Sequence, residues 1–186
     1  MTKRLSDLPE VAHFRDVATR YCELIDAHRE FKLQQFLEHV ERALPQLIPC
    51  VLDLPLVDRF GSDPPERDYA AMFRPLHSAL AEYLGKHALH WRVFDPTKVT
   101  KDDPLLGDLA DDLADIYCDL RRGLDAWDSA DAATRREILW TWRFGYESHW
   151  GRHLVEALSA IYNLLGLMNL GRSTDPGPGN GAEADA

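Results

Sequence analysis

An apolar stripe near the middle of the chain most constrains its fold. Between Pro104 and Trp127, large apolar side chains recur every three or four residues, which is the period of one face of an α-helix. They are Leu106, Leu109, Leu113, Ile116, Leu120, Leu124 and Trp127. A stripe of this length needs other elements to cover it, so the sequence predicts a long helix packed inside a helical domain.

Four further segments show helical spacing. They cover about residues 7–28, 31–52, 64–84 and 130–167. Asp7 and Glu10 have the spacing of a capping box at the start of the first segment. Asp63 is suited to cap the third segment, and Gly85 is suited to end it.

Two of these segments contain residues that weaken a helix. Pro45 and Pro49 interrupt the hydrogen bonds of the second segment and predict a kink or a break. Gly145 and Gly151 weaken the last segment, but the residues on both sides are helical, so we predict one continuous helix through them. Residues 88–103, which precede the leucine stripe, indicate a connecting loop because they combine aspartates and a proline with aromatic side chains.

The elements together predict an all-α protein. We expect a single domain at residues 1–170, built as an irregular bundle of five or six helices. The last predicted helix carries three of the five tryptophans, and their spread around the helix predicts a central position. Residues 171–186 are rich in glycine, proline, alanine and acids, which predicts a disordered acidic tail.

Charge and cysteine content limit the partners and the compartment. The formal net charge of −10 disfavours nucleic acid, because phosphates require a surplus of lysine and arginine. The most apolar segment, 154–170, is interrupted by polar residues and falls short of the ~20 residues of a membrane span. Cys22, Cys50 and Cys118 lack the paired spacing of a zinc or redox motif. We therefore expect a cytoplasmic protein with free thiols and no membrane or nucleic-acid partner.

The helix of the leucine stripe also carries an acidic stripe. At about 100° per residue, five aspartates fall within one sector of roughly 100°, away from the leucines. They are Asp108, Asp111, Asp112, Asp115 and Asp119. Such a run most often marks a solvated face, but its mutual repulsion also suits a basic protein partner, or a divalent cation held by Asp111, Asp112 and Asp115.

A second candidate group lies in the last predicted helix. His149 and His153 are four residues apart and share one helix face, the spacing of two ligands of a transition-metal ion, and Glu156 follows one turn later. Two histidines need a third ligand from another helix, and His77, Glu82 and Asp115 are the candidates that we consider. The competing interpretation is that His153 is a buried core residue whose ring is satisfied by a carboxylate or a carbonyl.

Three sequence blocks resemble a known bacterial family, domain of unknown function 5063. The blocks are Trp91-Arg-Val-Phe-Asp-Pro96, the run from Asp108 to Leu124, and His149-Trp-Gly-Arg-His153. The resemblance spans about residues 52–161 and implies a small all-helical cytosolic protein. It implies no activity, cofactor or catalytic residue, but two blocks coincide with the aspartates and histidines singled out above, which favours a site over plain packing.

A looser resemblance concerns the acidic residues alone. Asp111-Asp112-Leu-Ala-Asp115 looks like the second acidic motif of the all-α nucleotide pyrophosphatases of the MazG type, which hold magnesium between acidic residues on two helices. The chain lacks the first Glu-Glu-x-x-Glu block of those enzymes. A two-metal mechanism of that type would therefore miss half of its ligands.

Two functions follow from these patterns. Since no complete catalytic set is found, the leading interpretation is a non-enzymatic helical module that binds a protein partner, with a basic surface contacting the acidic stripe. The alternative is a metal-dependent hydrolase of the all-α pyrophosphatase type, acting on a nucleotide or another phosphorylated small molecule. No organic cofactor is predicted, and a divalent metal is the one cofactor that the spacings allow.

Overall fold

The computed structural model of the protein describes residues 5–59, 69–92 and 104–173. These ranges contain six α-helices: α1 (Pro9–Asp26), α2 (Leu33–Leu52), α3 (Tyr69–Leu84), α4 (Leu109–Trp127), α5 (Ala132–Ser148) and α6 (Trp150–Ser173). Two short strands, β1 (Leu89–Arg92) and β2 (Leu105–Asp108), pair antiparallel with Trp91 opposite Leu106. The predicted all-α class and single domain are confirmed. Within the described ranges, no helix combines the length and apolarity needed to cross a membrane.

Helix α4 lies at the centre of the bundle. It packs against α1, α3, α5 and α6, and it buries most of the helical part of the leucine stripe on one side and Asp112 and Asp115 on another. We expected the tryptophan-rich segment at the centre. That segment instead divides its aromatic side chains between core and surface, because Trp142 and Trp150 are buried whereas Phe144 is exposed.

The predicted continuous helix at 130–167 is broken into α5 and α6. The break is at His149, whose backbone leaves the helical region at φ −145° and ψ −86° while its N–H still donates to the carbonyl of Gly145. The chain turns so tightly that a Cβ atom on Gly151 would overlap the carbonyl oxygen of Tyr146. Glycine at position 151 therefore permits a turn that helical periodicity alone does not reveal.

The ends of two helices differ from the sequence prediction. Helix α1 begins at Pro9 after a short 3₁₀ turn that contains Asp7, and its N-cap residue Leu8 makes no side-chain cap, so the predicted capping box is absent. Helix α2 continues through Pro45 and Pro49 without a break in its assigned span.

The β-hairpin corrects two predictions. The helix of the leucine stripe starts later than predicted, and part of the predicted loop at 88–103 is a strand. Helix α4 starts only at Leu109, because Leu105–Asp108 pairs with β1, which lies inside the predicted loop. Gly85 follows the end of α3 with φ +56°, as expected of a residue that ends a helix.

Two sequence predictions fall mostly outside the described residues. The Asp63 cap lies in the range 60–68, which is not described, and the predicted tail overlaps the description only at the end of α6, which continues to Ser173.

A close approach between α4 and α5 provides a test of the core. A Cβ atom on Gly123 would lie 2.5 Å from the ring of Trp142, which also stacks on Trp127 at 5.5 Å. We expect Gly123→Ala to lower the free energy of unfolding by about 1–3 kcal/mol, because the indole would be displaced in a closely packed core. Urea denaturation measures this change.

The matched control is Gly166→Ala in α6, where an added Cβ meets nothing within 4 Å. Since alanine favours a helix over glycine, this control should gain up to about 1 kcal/mol. A Gly123→Ala variant as stable as the control would contradict the packing described here.

Candidate metal centre

The acidic stripe of α4 is largely covered by neighbouring helices. Helix α3 packs along one side of α4, and the start of α6 packs along another. Asp112 is only 2% exposed and Asp115 only 8% exposed. Burial of two carboxylates on one helix is costly unless each finds donors or a cation. The neighbouring side chains therefore decide the chemistry of this region.

The two histidines of α6 and its preceding turn lie against three of these aspartates. His153 places Nδ1 2.8 Å from Asp112 Oδ1 and Nε2 3.3 Å from Asp115 Oδ2. His149 places Nδ1 2.8 Å from Asp119 Oδ2. The two imidazole rings are 5.0 Å apart. The acidic stripe and the histidine pair thus form one cluster, a juxtaposition that the sequence does not reveal.

The ring of His153 has carboxylates at both nitrogens, which restricts the hydrogen bonds that it can make. A neutral imidazole has a single N–H, so it can donate to Asp112 or to Asp115 but not to both. If Nδ1 donates to Asp112, the lone pair of Nε2 faces an oxygen of Asp115. Two electron-rich atoms at this separation need either a second proton on the ring or a cation between them.

Helix α3 supplies the partners on the other side of the stripe. The hydroxyl of Tyr69 donates to Asp115 Oδ1, and His77 Nε2 lies 2.9 Å from Asp108 Oδ2. The Asp108 Oδ1 atom accepts the backbone N–H groups of Ala110 and Asp111 and caps α4. Both oxygens of Asp108 thus have hydrogen-bond partners that belong to the fold. Asp115 differs, because one of its oxygens accepts from Tyr69 and the other faces the histidines.

Two overlapping groups have the proximity that metal ligation requires. One ligand atom from each of Asp115, His149 and His153 lies within 4.8 Å of the other two, and the same holds for Asp111, Asp112 and His153. Of His77, Glu82 and Asp115, which the sequence offers as a third ligand, Asp115 is the one that lies within this distance of both histidines.

The other two candidates have partners elsewhere. His77 binds Asp108, and Glu82 forms an ion pair with Arg29 at 2.6 Å. Glu156, which the sequence placed with the histidines, is instead held by Arg92 and by Arg152.

The electrostatic environment of the cluster is strongly negative. Burial raises the pKa of Asp111, and the charge of Asp115 raises it further. The hydrogen bond to Asp119 raises the pKa of His149 against the opposing effect of burial. Burial, followed by the hydrogen bond to Asp115, raises the pKa of Tyr69. Within the described ranges, no lysine or arginine forms an ion pair with the five aspartates of the stripe.

Sequence reasoning missed two residues at this site. Tyr69 stacks on Phe73, which in turn stacks on His77, so three rings spaced four residues apart form a row on α3. The spacing of four residues between these aromatic side chains is visible in the sequence and could have indicated that they share one face of α3. Arg92 lies on β1, within the Trp91-Arg block that carries the family resemblance, but only the hairpin brings it to Glu156.

Comparison with known proteins places the chain in a family. The sequence model of the family described as "Domain of unknown function (DUF5063)" matches residues 7–166. The chain belongs to this family. The match includes every residue of the cluster described above and extends beyond the 52–161 range of the resemblance.

A solved structure shares the fold. It is the crystal structure of protein BF1032 from Bacteroides fragilis, a structural genomics target, with a TM-score of 0.74 and 20% sequence identity. The match covers 87% of this chain and 95% of that one. At this identity the similarity supports the helical architecture alone. No match is found among curated proteins.

The pair of His149 with Asp119 predicts a pH dependence of stability in metal-free protein. Because the pKa of His149 is raised in the folded state, the pair contributes fully below the ordinary histidine pKa of about 6.5, and the contribution is lost as the pH rises through the folded value. We expect the stability difference between wild type and Asp119→Asn to be larger at about pH 5.5 than at about pH 9. Urea denaturation in the presence of chelator measures it.

Asp16→Asn is the control for this experiment. Asp16 forms an exposed pair with Arg20 on α1, and arginine does not titrate in this pH range. The stability difference between wild type and the control should therefore be constant. A difference for Asp119→Asn that is equally constant would contradict the assigned pair.

Proposed function

We propose that Asp115, His149 and His153 bind one divalent transition-metal ion and that the protein is a metal-dependent hydrolase. The observation that carries the proposal is the convergence of one carboxylate and two imidazoles within 4.8 Å of one another. Two histidines with one carboxylate are a common ligand set for Zn²⁺ in hydrolases and for Fe²⁺ in other enzymes.

The outer contacts of the histidines support this assignment. Metal-bound histidines usually donate their second ring N–H to a carboxylate, which sets the tautomer and the orientation of the ring. Here the Nδ1 atoms of His149 and His153 each lie 2.8 Å from an aspartate oxygen, in Asp119 and Asp112 respectively. In both rings Nε2 is then the atom left to bind the ion. Tyr69 orients Asp115 in the same way through its hydrogen bond to Oδ1.

An opening to solvent supports a catalytic role over a purely structural one. The side chain of His149 is 47% exposed, and three protein ligands leave at least one coordination position open for water or substrate. A divalent ion at such a position would lower the pKa of a bound water and polarise a phosphoryl or carbonyl oxygen. Arg92 and Arg152 meet at Glu156, one helical turn beyond His153, and guanidinium groups are well suited to bind phosphate.

Binding of a protein partner is the second candidate function. Burial of Asp112 and Asp115 removes two of the five carboxylates from any surface that a basic partner could contact. A different surface favours this candidate, since Trp91 is 72% exposed and its hairpin neighbours Leu89 and Leu106 are also exposed. Exposed apolar side chains grouped in this way are typical of interaction surfaces.

Metal binding is tested by thermal unfolding with zinc, manganese or iron(II) added in turn to chelator-treated protein. At a hundred times its dissociation constant, an ion bound only by the folded state adds about 2.7 kcal/mol, which corresponds to roughly 5–10 °C for a chain of this size. We expect this shift in wild type and its loss in the His149→Ala, His153→Ala double variant.

His13→Ala is the matched control, because His13 is exposed on α1, away from the cluster. It should retain the full shift. If no ion moves the midpoint of wild type, the proposed site is refuted, and His153 is then best described as a structural contact between Asp112 and Asp115.

The hydrolase activity has its own test. We expect the metal-loaded protein to hydrolyse p-nitrophenyl phosphate or a nucleoside triphosphate, and Asp115→Asn to reduce this rate to that of the chelated protein because a ligand is lost. Release of p-nitrophenol or of inorganic phosphate measures the rate. If the protein binds the metal tightly but hydrolyses neither phosphate esters nor anhydrides, the proposed hydrolase activity is refuted and only the proposed metal binding stands.

A further inference from the structure

One oxygen of the candidate centre has no donor. Asp112 Oδ1 lies against His153 Nδ1, but Asp112 Oδ2 is buried and has no hydrogen-bond partner. The residue as a whole is only 2% exposed. A buried carboxylate oxygen without a donor is rare and costly in native proteins, and it points to a group that completes the site.

Asp111 lies close to Asp112 in the cluster. One ligand atom from each of Asp111, Asp112 and His153 lies within 4.8 Å of the other two. Because His153 offers Nδ1 to Asp112 Oδ1 and Nε2 toward Asp115, a neutral ring that binds the first ion has no further lone pair for another. The carboxylates of Asp111 and Asp112 are then the donors that remain.

We infer that Asp111 and Asp112 hold a second divalent cation, of the oxygen-preferring class of Mg²⁺ or Mn²⁺, beside the transition-metal ion. This inference rests on the proposed function, because it assigns His153 to the first ion. Carboxylate and water oxygens are the ligands that these hard cations prefer, and Mg²⁺ in particular is commonly bound by one or two carboxylates with waters completing the shell.

The charge of the cluster supports two ions over one. Glu156 is compensated by two arginines, whereas within the described ranges the five aspartates of the stripe have only histidines, a tyrosine and backbone N–H groups as partners. Asp111 has none of these histidine or tyrosine contacts. One divalent ion would offset two of the negative charges, and a second would offset two more near Asp111.

A pair of ions suits phosphate esters and anhydrides as substrates. Two-metal sites stabilise both the attacking and the leaving oxygen of an in-line displacement at phosphorus. In such a hydrolysis, water forms the new P–O bond, the bond from phosphorus to the leaving oxygen breaks with its electron pair, and the proton of the water passes to solvent or to the leaving oxygen.

The test is the number of ions bound per chain. Chelator-treated protein is equilibrated with Zn²⁺ and Mn²⁺ together, dialysed, and analysed for both elements by mass spectrometry. We expect one Zn²⁺ and one Mn²⁺ in wild type, and Asp111→Asn to lose the Mn²⁺ while it keeps the Zn²⁺. The manganese spectrum of wild type by electron paramagnetic resonance should differ from that of the free ion.

Asp16→Asn, on the exposed face of α1, is the control and should bind both ions. One ion in wild type would overturn the second site and leave the proposed function intact. No ion in wild type would overturn both the second site and the proposed function. Two ions in Asp111→Asn would show that Asp111 does not hold the second ion. The number of ions bound by wild type decides whether a second site exists, without any variant. Circular dichroism of each metal-free variant shows whether that variant is folded.

Discussion

The contact between the buried carboxylates of α4 and the histidines at the start of α6 is the interaction on which the rest of the structure depends. Helix α4 is central and therefore turns Asp112 and Asp115 away from water. Such carboxylates must be satisfied inside the protein, and His153 on α6 and Tyr69 on α3 converge on them. The same contacts therefore hold α3, α4 and α6 together and set the chemistry of the cluster.

The break between α5 and α6 determines where the two histidines lie. Because the chain leaves the helical conformation at His149 and restarts at Trp150, His149 lies at a turn that is open to solvent, while His153 lies one turn inside α6. The close approach of Gly151 to the carbonyl of Tyr146 permits this geometry. An uninterrupted helix would place both rings on one face of the same helix.

Much of the fold could be predicted from local patterns. The leucine stripe, the helix end at Gly85 and the all-α class all follow from periodicity and turn chemistry, and the structure agrees with them. The hairpin was missed because Leu105 and Leu106 continue the apolar spacing of α4, and only pairing with β1 shows that they are extended. Of the kink or break expected at Pro45 and Pro49, the break does not occur, because tertiary packing can hold a helix together where propensity disfavours it.

For the candidate site, the sequence by itself determined the side-chain types and their spacing along the chain: carboxylates on α4 and imidazoles four residues apart near the start of α6. Only the tertiary structure decided that Asp115 joins the two histidines, that His77 and Glu82 do not, and that Glu156 is held by arginines. The physical reason is that helical periodicity is a property of neighbouring residues, which fixes the face on which a side chain lies. The distance between two helices depends on how their whole surfaces pack, and no local pattern carries that information.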